Sequence, residues 1–165
     1  LDINNTQIEK LRYGTFFHDI GKIGVCDNIL TKPGGLTVEE FDIMKRHPTI
    51  GFNILEPIES LKESLPLVRH HHEWFNGEGY PDGLKGEQIP SEVVIFAIVD
   101  VYDALITDRH YRKKYSHEKA LEIIEGRIGA QFAPHIAEKV LPQICKYNKN
   151  MPSEESAFID HIYVS

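Results

Sequence analysis

Four separate stretches of this chain place His or Asp in apolar, helix-like surroundings: His18-Asp19, His47, His71-His72 and Asp100. The gaps between them are 28, 24 and 28 residues (19 to 47, 47 to 71, 72 to 100), so no local turn unites them. An uncoordinated polar side chain on an apolar face costs about 1–3 kcal/mol by mutational scales. Four such costs, at His47, His71, His72 and Asp100, would remove much of the ~5–15 kcal/mol that stabilises a small domain. A shared metal centre offsets them together. Imidazole and carboxylate suit borderline and hard divalent ions such as Fe, Mn, Zn or Ni. Only a folded helical bundle brings donors from four such segments to one point.

The pattern along the chain supports an all-α fold. Ile8, Leu11, Thr15 and His18 recur at helical spacing, and the glycines at 21 and 24 end that helix near Lys22. Residues 23–33 read as a loop followed by the turn Lys32-Pro33-Gly34-Gly35. Thr37 with Glu40 three residues later matches a capping box, so a helix starts at Val38. On that helix His47 shares a face with Ile43, Met44, Ile50 and Gly51, while Pro48 should kink it or divide it in two. A third helix over 61–74 sets Leu67 and Val68 one turn below His71 and His72. Residues 76–90 form a loop around Gly79-Tyr80-Pro81-Asp82-Gly83, where Pro-Asp-Gly is tight-turn chemistry. Residues 92–105 read as a buried helix carrying Asp100, and further helices are expected over 116–125 and 134–147. The expected organisation is one domain over 1–147 and a polar tail or linker over 148–165.

Composition narrows the classes of function. A chain of 165 residues with 41% apolar content suits a single core. A net charge of −7 argues against a chain-wide footprint for duplex nucleic acid or an anionic membrane. The longest apolar stretch, Val93 to Val99, falls far short of the ~20 residues that span a bilayer, so no transmembrane segment is expected. Cys26 and Cys145 lack any ligand spacing and read as reduced, semi-buried packing residues of a cytoplasmic protein. His70, His110, His117, His135 and His161 read as surface residues or as supports behind the centre. The chain opens on Leu1 rather than Met, as a cut or processed chain would.

Several residues flank the centre. Lys22 lies one turn past His18-Asp19, placed either to meet a negative group on the metals or to end a helix in water. Asp103, one turn beyond Asp100, can orient a ligand, bind substrate or cap a local network. Arg109, Arg112, Lys113 and Lys114 follow that helix; a basic cluster beside a metal site in an acidic chain favours a phosphorylated substrate over a solvated patch.

These stretches resemble the HD-GYP branch of the HD-domain metal-dependent phosphohydrolases. The resemblance rests on His18-Asp19-Ile20-Gly21-Lys22, on Lys32-Pro33-Gly34 through His47-Pro48, and on His70-His71-His72-Glu73. It rests equally on Gly79-Tyr80-Pro81-Asp82-Gly83-Leu84-Lys85-Gly86 and on Val99-Asp100 through Arg112, and it runs from about residue 11 to 137. It implies an all-α HD-domain bundle with two or three divalent ions, iron or manganese before zinc, nickel or magnesium. His18, Asp19, His47, His71, His72 and Asp100 match the family's metal ligands, with Asp19 as the bridge. It further implies hydrolysis of cyclic di-GMP to pGpG or GMP by in-line attack of water. Asp19 and Lys22 would be catalytic, and Lys22, Tyr80, Asp103, Arg109 and Arg112 would contact substrate. His110 stands where the family commonly has Pro, and Asn76 where Asp is common. The family's upstream helix with a further His ligand finds no match in residues 1–17. The alternative expectation is therefore a catalytically impaired module that binds a cyclic dinucleotide or contacts a diguanylate cyclase. A sensor or receiver domain is the expected neighbour in a parent protein.

Overall fold

The computed structural model describes residues 5–108 and 113–150 of the chain. Among these the helices are α1 (Asn5–Phe17), α2 (Asp27–Leu30), α3 (Val38–Met44), α4 (His47–Leu55), α5 (Leu65–His70), α6 (Ser91–Ile106), α7 (His117–Glu125) and α8 (Pro134–Asn150). Short 3₁₀ segments cover Ile20–Gly24, Glu59–Ser64 and Gly86–Gln88, and no strand forms among the described residues. The all-α expectation is met. No helix among the described residues is long and apolar enough to cross a membrane.

The centre of the molecule is α6, whose sequence is apolar nearly all round and which is accordingly covered by α1, α5, α7 and α8. Val93, Phe96, Ala97 and Ile98 of α6 pack with Ile124, Phe132, Ala137 and Val140 in the larger apolar cluster. A smaller cluster of Leu55, Leu61, Leu65 and Val68, backed by Phe17, Ile20 and Phe52, joins α1, α4 and α5. Leu67 belongs to the first cluster and Val68 to the second, so the chain leaving α5 enters the seam between them. His71 lies in that seam.

Several helix starts follow the sequence closely. The Thr37 hydroxyl accepts from the Glu40 amide at 3.3 Å while the Glu40 carboxylate accepts from the Thr37 amide at 2.7 Å, which is the expected capping box. Ser116 caps α7 by accepting from the Lys119 amide at 3.2 Å. Pro48 divides the segment in two: α3 stops at Met44 and α4 begins at His47 with Pro48 in its first turn.

Five sequence expectations are corrected. The first helix ends at Phe17, not near Lys22, and a 3₁₀ turn takes its place. A Cβ at Gly21 would lie 1.9 Å from the His47 carbonyl oxygen, so this turn is pressed against α4. The helix expected over 61–74 is a 3₁₀ segment followed by α5, which ends at His70. The loop expected over 23–33 holds the end of the first 3₁₀ turn and α2. Cys26, read as semi-buried, is exposed at the start of α2, and α8 continues past Tyr147 to Asn150. Arg109, His110, Arg112, His161 and the tail from residue 151 lie outside the described residues.

Candidate metal centre

Three of the predicted ligands end a helix or lie just beyond one, where carbonyls of the last turn lack helical partners. His18 Nδ1 bonds the Thr15 carbonyl at 2.7 Å, His47 Nδ1 the Met44 carbonyl at 2.8 Å, and His71 Nδ1 the Val68 carbonyl at 2.9 Å. A carbonyl only accepts, so each Nδ1 carries the proton and each neutral ring presents a bare Nε2. Outer-shell carbonyls of this kind fix the tautomer and ring plane of metal-binding histidines.

The Nε2 atoms converge. His47 Nε2 and His71 Nε2 are 3.2 Å apart, and donor atoms of His47, His71 and His72 all lie within 4.8 Å of one another. Two bare lone pairs facing at 3.2 Å repel unless a cation lies between them, and two nitrogens bonded at about 2.0–2.1 Å to one ion take such a separation. The donor set fits a divalent metal. Asp19 spans the group: one carboxylate oxygen is 3.3 Å from His47 Nε2 and the other 3.3 Å from His18 Nε2. Asp100, on α6, reaches within 3.9 Å of His18 Nε2, and Lys22 Nζ is 2.5 Å from Asp19 Oδ2. All six predicted ligands and Lys22 therefore meet in one place. Phe96 closes the inner side, its ring centroid 5.0 Å from that of His18.

Burial and charge set the protonation states. His71 is pushed well below the ordinary imidazole range by burial, then by the neighbouring histidines, and His72 is pushed down to about 3 by burial and the charge of His47. Burial likewise lowers His47. All three stay neutral at neutral pH, as metal binding requires. Burial also disfavours charge on His18, but hydrogen bonding to Asp19 and its charge outweigh this, and His18 titrates above its usual value. Desolvation disfavours charge on the half-buried Asp19 too, yet His18 and Lys22 hold it far below the carboxylate range. Burial raises Asp100, with the charges of Asp19 and Asp103 adding to the effect. That places the half-buried Asp103 electrostatically beside the centre.

Tyr80 roofs one side. Its ring stacks on His72 at 4.7 Å, its amide donates to the His72 carbonyl at 3.1 Å, and burial followed by the charge of Asp19 raises its phenol. The Tyr80-Pro81 peptide is cis. A Cβ at Gly79 would sit 2.2 Å from the Trp74 amide nitrogen, so only glycine lets the loop lie this close.

Sequence reading passed over what holds this loop. Glu73, only 3% exposed, accepts from the amides of Asp82, Gly83 and Leu84 at 2.7, 3.1 and 2.9 Å. Asp82 in turn takes a bidentate pair from Arg69 at 2.7 and 2.8 Å and a bond from His70 Nε2 at 2.9 Å. His70 thus supports the loop behind the centre. The signal available in the sequence was an acid next to three histidines and followed by Pro-Asp-Gly. Asn76, where Asp is common, donates its amide to Glu78 at 2.7 Å, closing a local turn.

The fold and donor set together define an all-α domain built around a His/Asp metal-type centre. The chain belongs to the HD-domain family, whose profile, described as HD domain, matches residues 1–136. It is 43% identical over 138 residues to a cyclic di-GMP phosphodiesterase of Thermotoga maritima, covering 81% of this chain and 37% of that protein. It is 36% identical over 143 residues to the cyclic di-GMP phosphodiesterase response regulator RpfG of Xanthomonas campestris, covering 86% and 38%. Among solved structures, a cyclic GMP-AMP specific phosphodiesterase of Vibrio cholerae superposes with a TM-score of 0.65 at 17% identity, covering 99% of this chain and 42% of that one. The chain spans less than two fifths of the length of these two curated relatives.

Proposed function

We propose that this domain is a metal-dependent phosphodiesterase acting on a cyclic dinucleotide, with cyclic di-GMP as its first substrate. The observation that carries this reading is the convergence of His18, Asp19, His47, His71, His72 and Asp100 from four segments, with Lys22 at the rim. The two curated relatives support the substrate by their names. In this reading those six residues hold two or three divalent ions, iron or manganese before zinc, nickel or magnesium. Bound there, the ions supply Lewis acidity and an acidified water.

The protein's own groups do the rest. Asp19 bridges the two halves of the centre through its two oxygens, and Lys22, held on Asp19, lies ready to neutralise charge that grows on phosphate oxygens. Tyr80, a protonated phenol at neutral pH, offers an O–H donor at the rim. Asp103, Arg109 and Arg112 complete the substrate contacts. Water adds across the P–O3′ bond: its oxygen joins phosphorus, a proton ends on the leaving 3′ oxygen, and linear pGpG results. A second round on pGpG gives GMP. The Xanthomonas relative is named a response regulator, so we place a receiver or other sensor domain, and signalling beside a cytoplasmic diguanylate cyclase, in the same reading.

The test is incubation of anaerobically purified, Mn- or Fe-loaded protein with cyclic di-GMP and, in parallel, cyclic GMP-AMP under reducing conditions. Linear product is expected. Tight calorimetric binding with no product from a fully loaded centre would replace the enzyme reading with a binding module.

A further inference from the structure

Helix α3 buries none of its seven residues, yet it is firmly built. Its capping box and the Lys45–Asp42 contact at 2.5 Å stabilise the helix itself, and the Lys32–Glu40 contact at 2.5 Å ties it to the preceding turn. A helix with no core to cover still carries Val38 at 75% and Phe41 at 46% exposure. Phe41 is set apart by its neighbours. Its ring meets that of Tyr80 edge to face at 6.3 Å, and Tyr80 stacks at 4.7 Å on His72 of the metal centre. The Lys45 ammonium lies 5.2 Å from the Phe41 centroid and fixes the ring from another side. The rings His72, Tyr80 and Phe41 therefore form a continuous aromatic path from the centre to the surface.

We propose that Phe41 is the stacking platform for one nucleobase of the bound dinucleotide. This deepens the phosphodiesterase reading and rests on it. A phosphate held at the six donors and Lys22 carries its base one sugar away, and Phe41 is the exposed ring one contact beyond Tyr80 on that path. Every base has a π-face, so an exposed, pre-positioned ring suits it without sequence readout. Among the described residues Phe41 enters neither apolar cluster.

The test uses the full chain, metal-loaded, with F41A, F41L and F41W compared with wild type on cyclic di-GMP. Stacking lost on alanine substitution is worth about 1–3 kcal/mol per base, so KM is expected to rise on the order of tenfold in F41A and in F41L. F41W should hold KM within about twofold and keep the aromatic contact. The independent readout is fluorescence. In F41W the added indole is expected to be quenched on titration with cyclic di-GMP, against the background of Trp74 alone in wild type. Unchanged KM in F41A together with no added quench in F41W overturns the platform while leaving the phosphodiesterase reading intact. A wild type that turns over nothing removes that reading instead, and the quench in F41W then decides whether Phe41 still meets a base.

Discussion

At the scale of single residues, the centre is organised by a repeated device: an imidazole three residues after a carbonyl to which its Nδ1–H donates. The pairs Thr15/His18, Met44/His47 and Val68/His71 all obey it. The partner is backbone, so a list of polar side chains does not reveal it; the register does, once the helix end is known. His71→Ala removes a ring that meets His47, His72 and His18. Metal affinity should fall by more than the roughly 10–100-fold that loss of an outer partner usually causes, read as ions per chain after equilibration with a competing chelator. Lys22 separates binding from chemistry. Lys22→Ala leaves all six donors in place, so metal content should hold while kcat drops by about 10²–10³, the effect of deleting one transition-state donor. A fall in metal content matching the fall in rate would place Lys22 in the structural support of Asp19 instead.

At the scale of elements, helix boundaries set by local chemistry were readable, and those of α1 and α5, set by packing against the centre, were not. The Thr37/Glu40 box, the Ser116 cap, Pro48 in the first turn of α4 and the apolar run of α6 are local chemistry, and each appears where the residues put it. The ends of α1 and α5 are decided elsewhere. Gly21 must lie against the His47 carbonyl, and α5 stops as His71 turns into the seam between two apolar clusters. The loop of residues 79–84 shows the same limit, because its anchor, Glu73, lies outside it and works through backbone amides. Glu73→Ala leaves three loop amides without their acceptor. The expected loss is about 1–3 kcal/mol for unsatisfied buried donors. That corresponds to a Tm lower by roughly 2–4 °C per kcal/mol for a domain of this size. Tyr80 should loosen with it and kcat/KM should fall. A second anchor titrates: the Arg69 hydrogen bonds, then those of His70, pull Asp82 down to about 2 from its ordinary range. A depressed carboxylate contributes stability above its unfolded pKa, about 3.9, that is lost as pH falls through the folded value. Loop protection in hydrogen exchange should therefore weaken between pH ~4 and ~2, and Asp82→Asn should already show the weakened state at pH 6.

For the whole molecule, the centre is a burden on the fold whenever it holds no ion. Helices α1, α4, α5 and α6 or the turns beside them contribute the donors, so the strain of gathering them is spread over both apolar clusters. His47, His71 and His72 are all held below their ordinary range, chiefly by burial, with His72 near 3. The unfolded chain takes up protons on these rings at about pH 6.5, while the folded chain resists them. Between pH ~6.5 and ~3 the unfolded state thus binds more protons, and stability rises with pH across that window. His18 has the opposite sign: its raised value contributes stability below pH ~6.5 that is lost as pH climbs through the folded pKa. Asp100, raised by burial, has the same sign as His18, so two groups are set against three. The metal-free protein should therefore lose Tm steadily from pH 7 to pH 4 in differential scanning calorimetry, and His72→Gln should flatten part of that slope. Metal loading should raise Tm at pH 7 because ions bind the folded state alone, and the gain should vanish toward pH 4 as protons compete for the same Nε2 atoms. A metal-free Tm that is level or rises toward acid would mean that these rings are not held neutral by the fold, and that the six groups are not a preformed centre.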